Sequence, residues 1–190
     1  MYSAKEPEET RIGDMIGKKT LIIGDLRRGK TQLTAALLEQ LLKIVSPQEV
    51  TVIDMAPAGK EEVGGMLYKY TQAVFRTRYL QPPSIRAPRI EGENRDEVLS
   101  LADYNRRAIE PIIRCFLDHP TQCLVVNDLS IYLQSGNLED ILRCMNTSST
   151  FISNAYYGTS LSDDKGSSIS LREKKLVEEL ISKSDIVVRL

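Results

Sequence analysis

"LIIGDLRRGKTQLTAALLEQLL", residues 21–42, is the stretch whose reading decides the fold. An apolar run ends at Gly24, a short polar turn leads to Gly29, Lys30 and Thr31, and a leucine-rich stretch follows. Leu33, Leu37 and Leu41 recur every four residues with Leu38 and Leu42 beside them, which lays an apolar stripe along a helix. The stretch therefore reads as strand, glycine-bearing turn and amphipathic helix, with the helix starting near Lys30 and stopped by Ser46-Pro47.

The turn has a chemistry of its own. Gly24-Asp25-Leu26-Arg27-Arg28-Gly29-Lys30-Thr31 fits G-x-x-x-x-G-K-[ST] at every required position. With this spacing the chain leaves a strand, wraps an anion in backbone N–H groups and enters a helix whose first turn adds positive potential. Gly24 and Gly29 allow dihedrals and close approach that a Cβ would block. Lys30 is expected to reach the β- and γ-phosphates of a nucleoside triphosphate, and the Thr31 hydroxyl to ligate Mg²⁺. Residues Gly24, Asp25, Leu26, Arg27, Arg28, Gly29, Lys30, Thr31 and Gln32 form the expected nucleotide-contacting stretch. Arg27 and Arg28 either point to solvent or add charge beside the phosphates.

Further strand-like runs lie at 50–54 (VTVID), 123–128 (CLVVND), 150–154 (TFISN) and 185–190 (DIVVRL). They are continuously apolar, as strands covered on both faces are, and they alternate with helical patterns. One pattern runs from Asn94 to His119, with Asn94 as cap, Glu97 three residues on, and Val98, Leu101, Ile109, Ile112 and Phe116 as its inner face. Pro111 is expected to kink or divide it. The last helix spans about 171–183 and buries Leu176, Leu180 and Ile181. The expectation is one α/β domain over residues 1–190, a three-layer α/β/α sandwich with a mainly parallel sheet of about five strands. A basic, aromatic segment is inserted at about 60–93, and residues 158–170 form a polar loop expected to be mobile.

A phosphate loop needs an acid at the end of another strand, because Mg²⁺ keeps several waters and takes few protein ligands. Asp128, ending the apolar run 123–127, fills that place, with Asp54 as its competitor.

Together the loop and Asp128 resemble the P-loop nucleoside triphosphatase superfamily, and within it the RecA/KaiC-like ATPases. "NDLSIYL" is similar to that branch's strand-end Asp, and "LVEELISKSDIVVRL" to its final helix and strand. The resemblance covers roughly residues 12–190. It implies ATP rather than GTP with Mg²⁺, and a nucleotide-sensing polar residue at Asn154. The rival branch, ParA/MinD-type ATPases, is resembled by "VIDMAPAG", which departs at Ala56 where an acid is expected.

The branch's water-positioning glutamate is missing: the second strand ends Asp54-Met55-Ala56-Pro57, the nearest glutamates are Glu61 and Glu62, and Leu129 follows Asp128. Asp54 is the candidate for the role, against a structural or metal second-shell use. Lys30 and Asp54 are thus the candidate catalytic residues, and Thr31 and Asp128 the candidate metal ligands. The expected activity is tight triphosphate binding with slow or partner-dependent hydrolysis. A regulatory module without hydrolysis and a P-loop kinase are the alternatives. From Val63 to Ile90 there is no acid, but Lys69, Arg76, Arg78, Arg86 and Arg89 stand among Tyr68, Tyr70, Phe75 and Tyr79. That segment suits a nucleic-acid or protein partner or a neighbouring subunit in a homo-oligomer, against aromatics in the core and arginines that are solvated or paired.

A formal net charge of −1 gives no global attraction to nucleic acid. No apolar run approaches the roughly 20 residues of a membrane span. Three cysteines, Cys115, Cys123 and Cys144, lack metal-type spacing and read as buried thiols in a reducing cytoplasm.

Overall fold

The computed structural model describes residues 3–5, 10–58 and 65–190. Glu61 and Glu62 lie outside the described residues. In chain order the strands are β1 (Ser3–Lys5), β2 (Lys19–Gly24), β3 (Val50–Asp54), β4 (Arg78–Leu80), β5 (Cys123–Asn127), β6 (Thr150–Tyr156) and β7 (Ile186–Arg189). The helices are α1 (Lys30–Leu41), α2 (Pro88–Glu91), α3 (Arg95–Asp118), α4 (Ser130–Leu133), α5 (Leu138–Thr147) and α6 (Ile169–Lys183).

The strands form one sheet in the order β1-β7-β2-β6-β5-β3-β4, and every neighbouring pair is parallel. β6 thus lies between β2 and β5. Alternate side chains of the inner strands go to opposite faces. Ile22, Val52, Val125, Ile152 and Val188 pack with Leu37, Leu38 and Leu41 of α1. Leu21, Ile53, Val126, Phe151 and Val187 pack with Ile113 and Phe116 of α3, Ile141 of α5 and Leu180 of α6. Helices on both faces explain why these strands are apolar throughout, and the arrangement is compatible with a three-layer sandwich.

The expected five strands fall short of what forms. Six parallel strands run from β2 to β7, and the three-residue β1 extends the sheet beside β7. β4 is also three residues long and only half buried, at the far edge beside β3, so it shows no apolar run. The connection from β5 to β6 holds α4 and α5, which the expectation also lacked. Asn137 caps α5 by accepting the Glu139 N–H at 3.1 Å.

α3 runs through Pro111 as a single helix rather than two. Its start is a reciprocal cap, with the Glu97 N–H on Asn94 Oδ1 at 3.0 Å and Glu97 Oε2 accepting the Glu93 N–H at 2.9 Å. Leu101 and Ile112 are only half buried; Ala102, Asn105 and Ile113 are buried in their place. α6 starts two residues earlier than expected, at Ile169, and buries Val177 more completely than Leu176. Cys123 and Cys144 are buried, whereas Cys115 is exposed. No described helix is long and apolar enough to cross a membrane.

Gly24 is needed for a reason the motif does not announce. A Cβ there would stand 2.7 Å from the Leu190 carbonyl oxygen, where Leu190 bonds back to Ile23.

Candidate functional site

The turns after β2, β5 and β6 leave the sheet at the carboxyl ends of parallel strands, the rim at which such sheets bind ligands. Between β2 and α1, two residues adopt left-handed backbone: Arg27 at φ 57° and Gly29 at φ 83°. Left-handed turns of this kind point backbone N–H groups into a common concavity. Arg27 thus takes a conformation that a glycine would adopt without strain. Both arginine side chains, Arg27 and Arg28, are largely exposed.

A cavity of about 240 Å³ opens over this turn. Residues 26–32 form one wall; Asp128, Asn154, Tyr156 and Arg89 contribute to the others. Of the sequence-predicted residues, Leu26, Arg27, Arg28, Gly29, Lys30, Thr31, Gln32, Asp128 and Asn154 meet here. Gly24, Asp25 and Asp54 do not line it.

Lys30 Nζ donates to the Asp25 carbonyl at 2.6 Å and lies 5.9 Å from the centre of the Tyr156 ring. Burial lowers its pKa, while Asp128, Asp25 and Glu173 act to raise it. Asp128 is itself in left-handed backbone at φ 56°, fixed by its N–H on Asn154 Oδ1 at 2.9 Å. Such strain persists where surroundings over-determine it, and it clusters at functional positions. Ser130 donates to Asp128 Oδ1 at 3.2 Å. Burial pushes the Asp128 carboxyl up to about 6 against the opposing charge of Lys30. An added cation beside it would favour the ionised form.

Asp25 serves the loop rather than the cavity. Its carboxylate accepts the N–H groups of Leu26 at 2.6 Å, Thr159 at 3.1 Å and Ser160 at 3.4 Å. Partial desolvation acts to raise its pKa, but these donors outweigh it and hold the group at about 2. A depressed carboxylate stabilises the fold above its ordinary range, and that contribution disappears as pH falls through about 2. Asp25→Ala should therefore cost about 1–2 kcal/mol at pH 7. The difference from wild type should shrink as pH falls below 4; a pH-independent difference in urea midpoint would contradict this account.

Asn154 is buried, with its amide used inside the protein. Nδ2 donates to Thr34 Oγ1 at 2.8 Å and Asn127 Oδ1 at 2.7 Å, while Oδ1 holds the Asp128 N–H. It therefore fixes the positions of α1, β5 and the Asp128 turn while standing on the cavity lining.

Asp54 is corrected more sharply. It has 0% exposure, and four donors saturate it: Asn127 Nδ2 at 2.8 Å, Tyr79 Oη at 2.7 Å, Leu67 N at 2.7 Å and Ala56 N at 3.3 Å. Burial raises its pKa against these four. It has no solvent contact and does not line the cavity, surroundings that favour the structural alternative over orienting an attacking water there. Among the described residues, Asp128 is the only acid lining the cavity.

The basic segment is also mostly committed within the chain. Arg78 donates to the carbonyls of His119 and Cys115, Arg86 pairs with Glu91 at 2.5 Å, and Arg89 pairs with Glu173. Lys69 and Arg76 border a shallow groove with Tyr68 and Tyr70, beside exposed Phe75. The polar loop 158–170 is tied to the β2–α1 turn through Asp25, and Asp164 accepts the N–H groups of Gly166 and Ser170.

Sequence reasoning did not place Arg89, Tyr156 or Ser130 at the cavity. Strand register carries the signal for Tyr156, which pairs with Gly24 across β6 and β2. Ser130, two residues after Asp128, lies in the same strand-end turn.

No cluster of three or more His, Cys, Asp or Glu side chains suits a metal among the described residues. A hydroxyl from Thr31 and a carboxylate from Asp128 are oxygen donors in small number, a set that fits Mg²⁺ shared with phosphate oxygens. Neither a protein-family model nor a curated protein matches the chain.

Proposed function

We propose that the chain binds a nucleoside triphosphate, ATP in preference to GTP, with Mg²⁺ at this cavity, and hydrolyses it slowly or only with a partner. The observation that carries this reading is the convergence of residues 26–31 with Asp128 on one cavity at the strand-end rim. Two left-handed positions in the turn support a phosphate cradle, and Lys30 and the N-terminus of α1 supply its positive charge.

The strand order supports the RecA/KaiC-like branch within a P-loop three-layer α/β/α sandwich. β6 separates β2 from β5, whereas the ParA/MinD-like reading favours their direct adjacency. In this reading Thr31 and Asp128 would hold Mg²⁺, which supplies charge neutralisation of the phosphates when bound. Lys30 orients the phosphate tail, Asp128 keeps its carboxylate ionised beside the cation, and Asn154 fixes the Asp128 backbone.

A second reading, a regulatory module that binds without hydrolysing, is favoured by the lack of any acid besides Asp128 along the described lining. Phosphate release by the purified chain with Mg-ATP tests both. The expected rate lies below about 1 per second, under the range of ordinary enzymes. Several turnovers per second would refute both readings. Stimulation by single-stranded nucleic acid would favour the first and identify the partner class.

A further inference from the structure

Arg89 differs from the other cations of the basic segment in where it reaches. It follows Pro88 in the first turn of α2 and lines the phosphate cavity with Lys30, Thr31 and Asp128. Its side chain is 6% exposed and that of its partner Glu173 is 2% exposed. Nη2 meets the two carboxylate oxygens at 3.2 and 3.1 Å, and Nη1 meets Ser170 Oγ at 3.4 Å. These contacts are longer than the roughly 2.7–2.9 Å usual between charged partners, and the guanidinium fork keeps donors over.

The surroundings aim this group without consuming it. Glu173 Oε2 also accepts from Gln134 Nε2 at 2.8 Å, while Gln134 Oε1 is buried without a partner. A buried ion pair beside such an orphan gains little stability for its desolvation, so stability alone does not account for it. Arg89 Cζ stands 5.2 Å from the Tyr156 ring centre, the ring that Lys30 Nζ approaches at 5.9 Å. Two cations from distant parts of the chain thus share one aromatic ring at the end of β6, on a cavity whose described acid is Asp128.

We propose that Arg89 is a second phosphate-binding cation of this site, contacting the terminal phosphate of a bound triphosphate so that the cavity distinguishes a triphosphate from a diphosphate. The inference rests on the nucleotide reading above. The phosphate loop accounts for the inner phosphates through its backbone, and an arginine that shares a cavity with the metal-side acid meets the far end of the tail. Glu173 and Tyr156 act as positioning residues that hold the fork in place before the ligand arrives.

Equilibrium binding of a non-hydrolysable ATP analogue and of ADP, each with Mg²⁺, tests this. Removing Arg89 alone would leave Glu173 buried without its charge partner, so the paired change Arg89→Met with Glu173→Leu is used, with Arg89→Lys beside it. Wild type should prefer the triphosphate analogue. The paired variant should lose about 10–100-fold in affinity for it, the size of a lost charged hydrogen bond, with ADP changed far less. Arg89→Lys should recover part of the preference. Equal losses for both nucleotides, or no loss, would overturn the role of Arg89 while leaving nucleotide binding intact. Failure of wild type to bind either nucleotide would overturn the nucleotide reading itself, and this inference with it.

Discussion

Lys30→Ala should abolish nucleotide binding and leave the chain folded. The Lys30 ammonium makes its hydrogen bond to the Asp25 carbonyl, within the loop, and contributes nothing to either apolar core. Its charge is partly desolvated and is offset by the carboxylates of Asp128, Asp25 and Glu173, and in the nucleotide reading it meets the phosphates. Each charged hydrogen bond lost on binding is worth about 1.5–3 kcal/mol, so losing contacts to two phosphates weakens affinity by about 100-fold or more. Titration with a fluorescent ATP analogue and Mg²⁺, beside thermal melting of the apo chain, measures both halves of the prediction. An unchanged dissociation constant would remove the nucleotide reading.

Asp54→Ala should have the opposite profile, a large loss of stability from a residue that does not line the cavity. Four donors converge on that carboxylate, and alanine would leave them buried without an acceptor. The cost is about 3–5 kcal/mol, which at this chain length lowers Tm by roughly 6–20 °C. Triphosphate affinity, measured at a temperature where the variant stays folded, should change much less than in Lys30→Ala. A variant of wild-type stability that lost only hydrolysis would restore Asp54 to a catalytic role.

These contrasts show which parts of the site were legible beforehand. The β2–α1 turn was, because its parts are contiguous and its strand and helix announce themselves by different periods. The inner strands were legible for a related reason: helices on both faces leave them no polar side. β1 and β4 were not, since three residues at a half-buried edge have no pattern to read. The roles of Asp54 and Asn154 depend on which strands become neighbours. β3, β5 and β6 lie side by side, so Asp54, Asn127 and Asn154 meet across distances that no local spacing encodes. The internal partners of the basic run were hidden for the same reason, because the acids and carbonyls that Arg78, Arg86 and Arg89 meet come from α2, α3, α6 and the turn after α3.

One buried line of side chains links these observations. The Lys30 carbonyl accepts from Thr34, Thr34 from Asn154, and Asn154 shares Asn127 with Asp54, which in turn receives Tyr79. Opening any member exposes an unmatched polar group on the next, so the cost of a local opening is shared along the whole line. The first turn of α1 and the edge strand β4 should consequently exchange with solvent deuterium as one cooperative unit, although 48 residues of sequence lie between Lys30 and Tyr79.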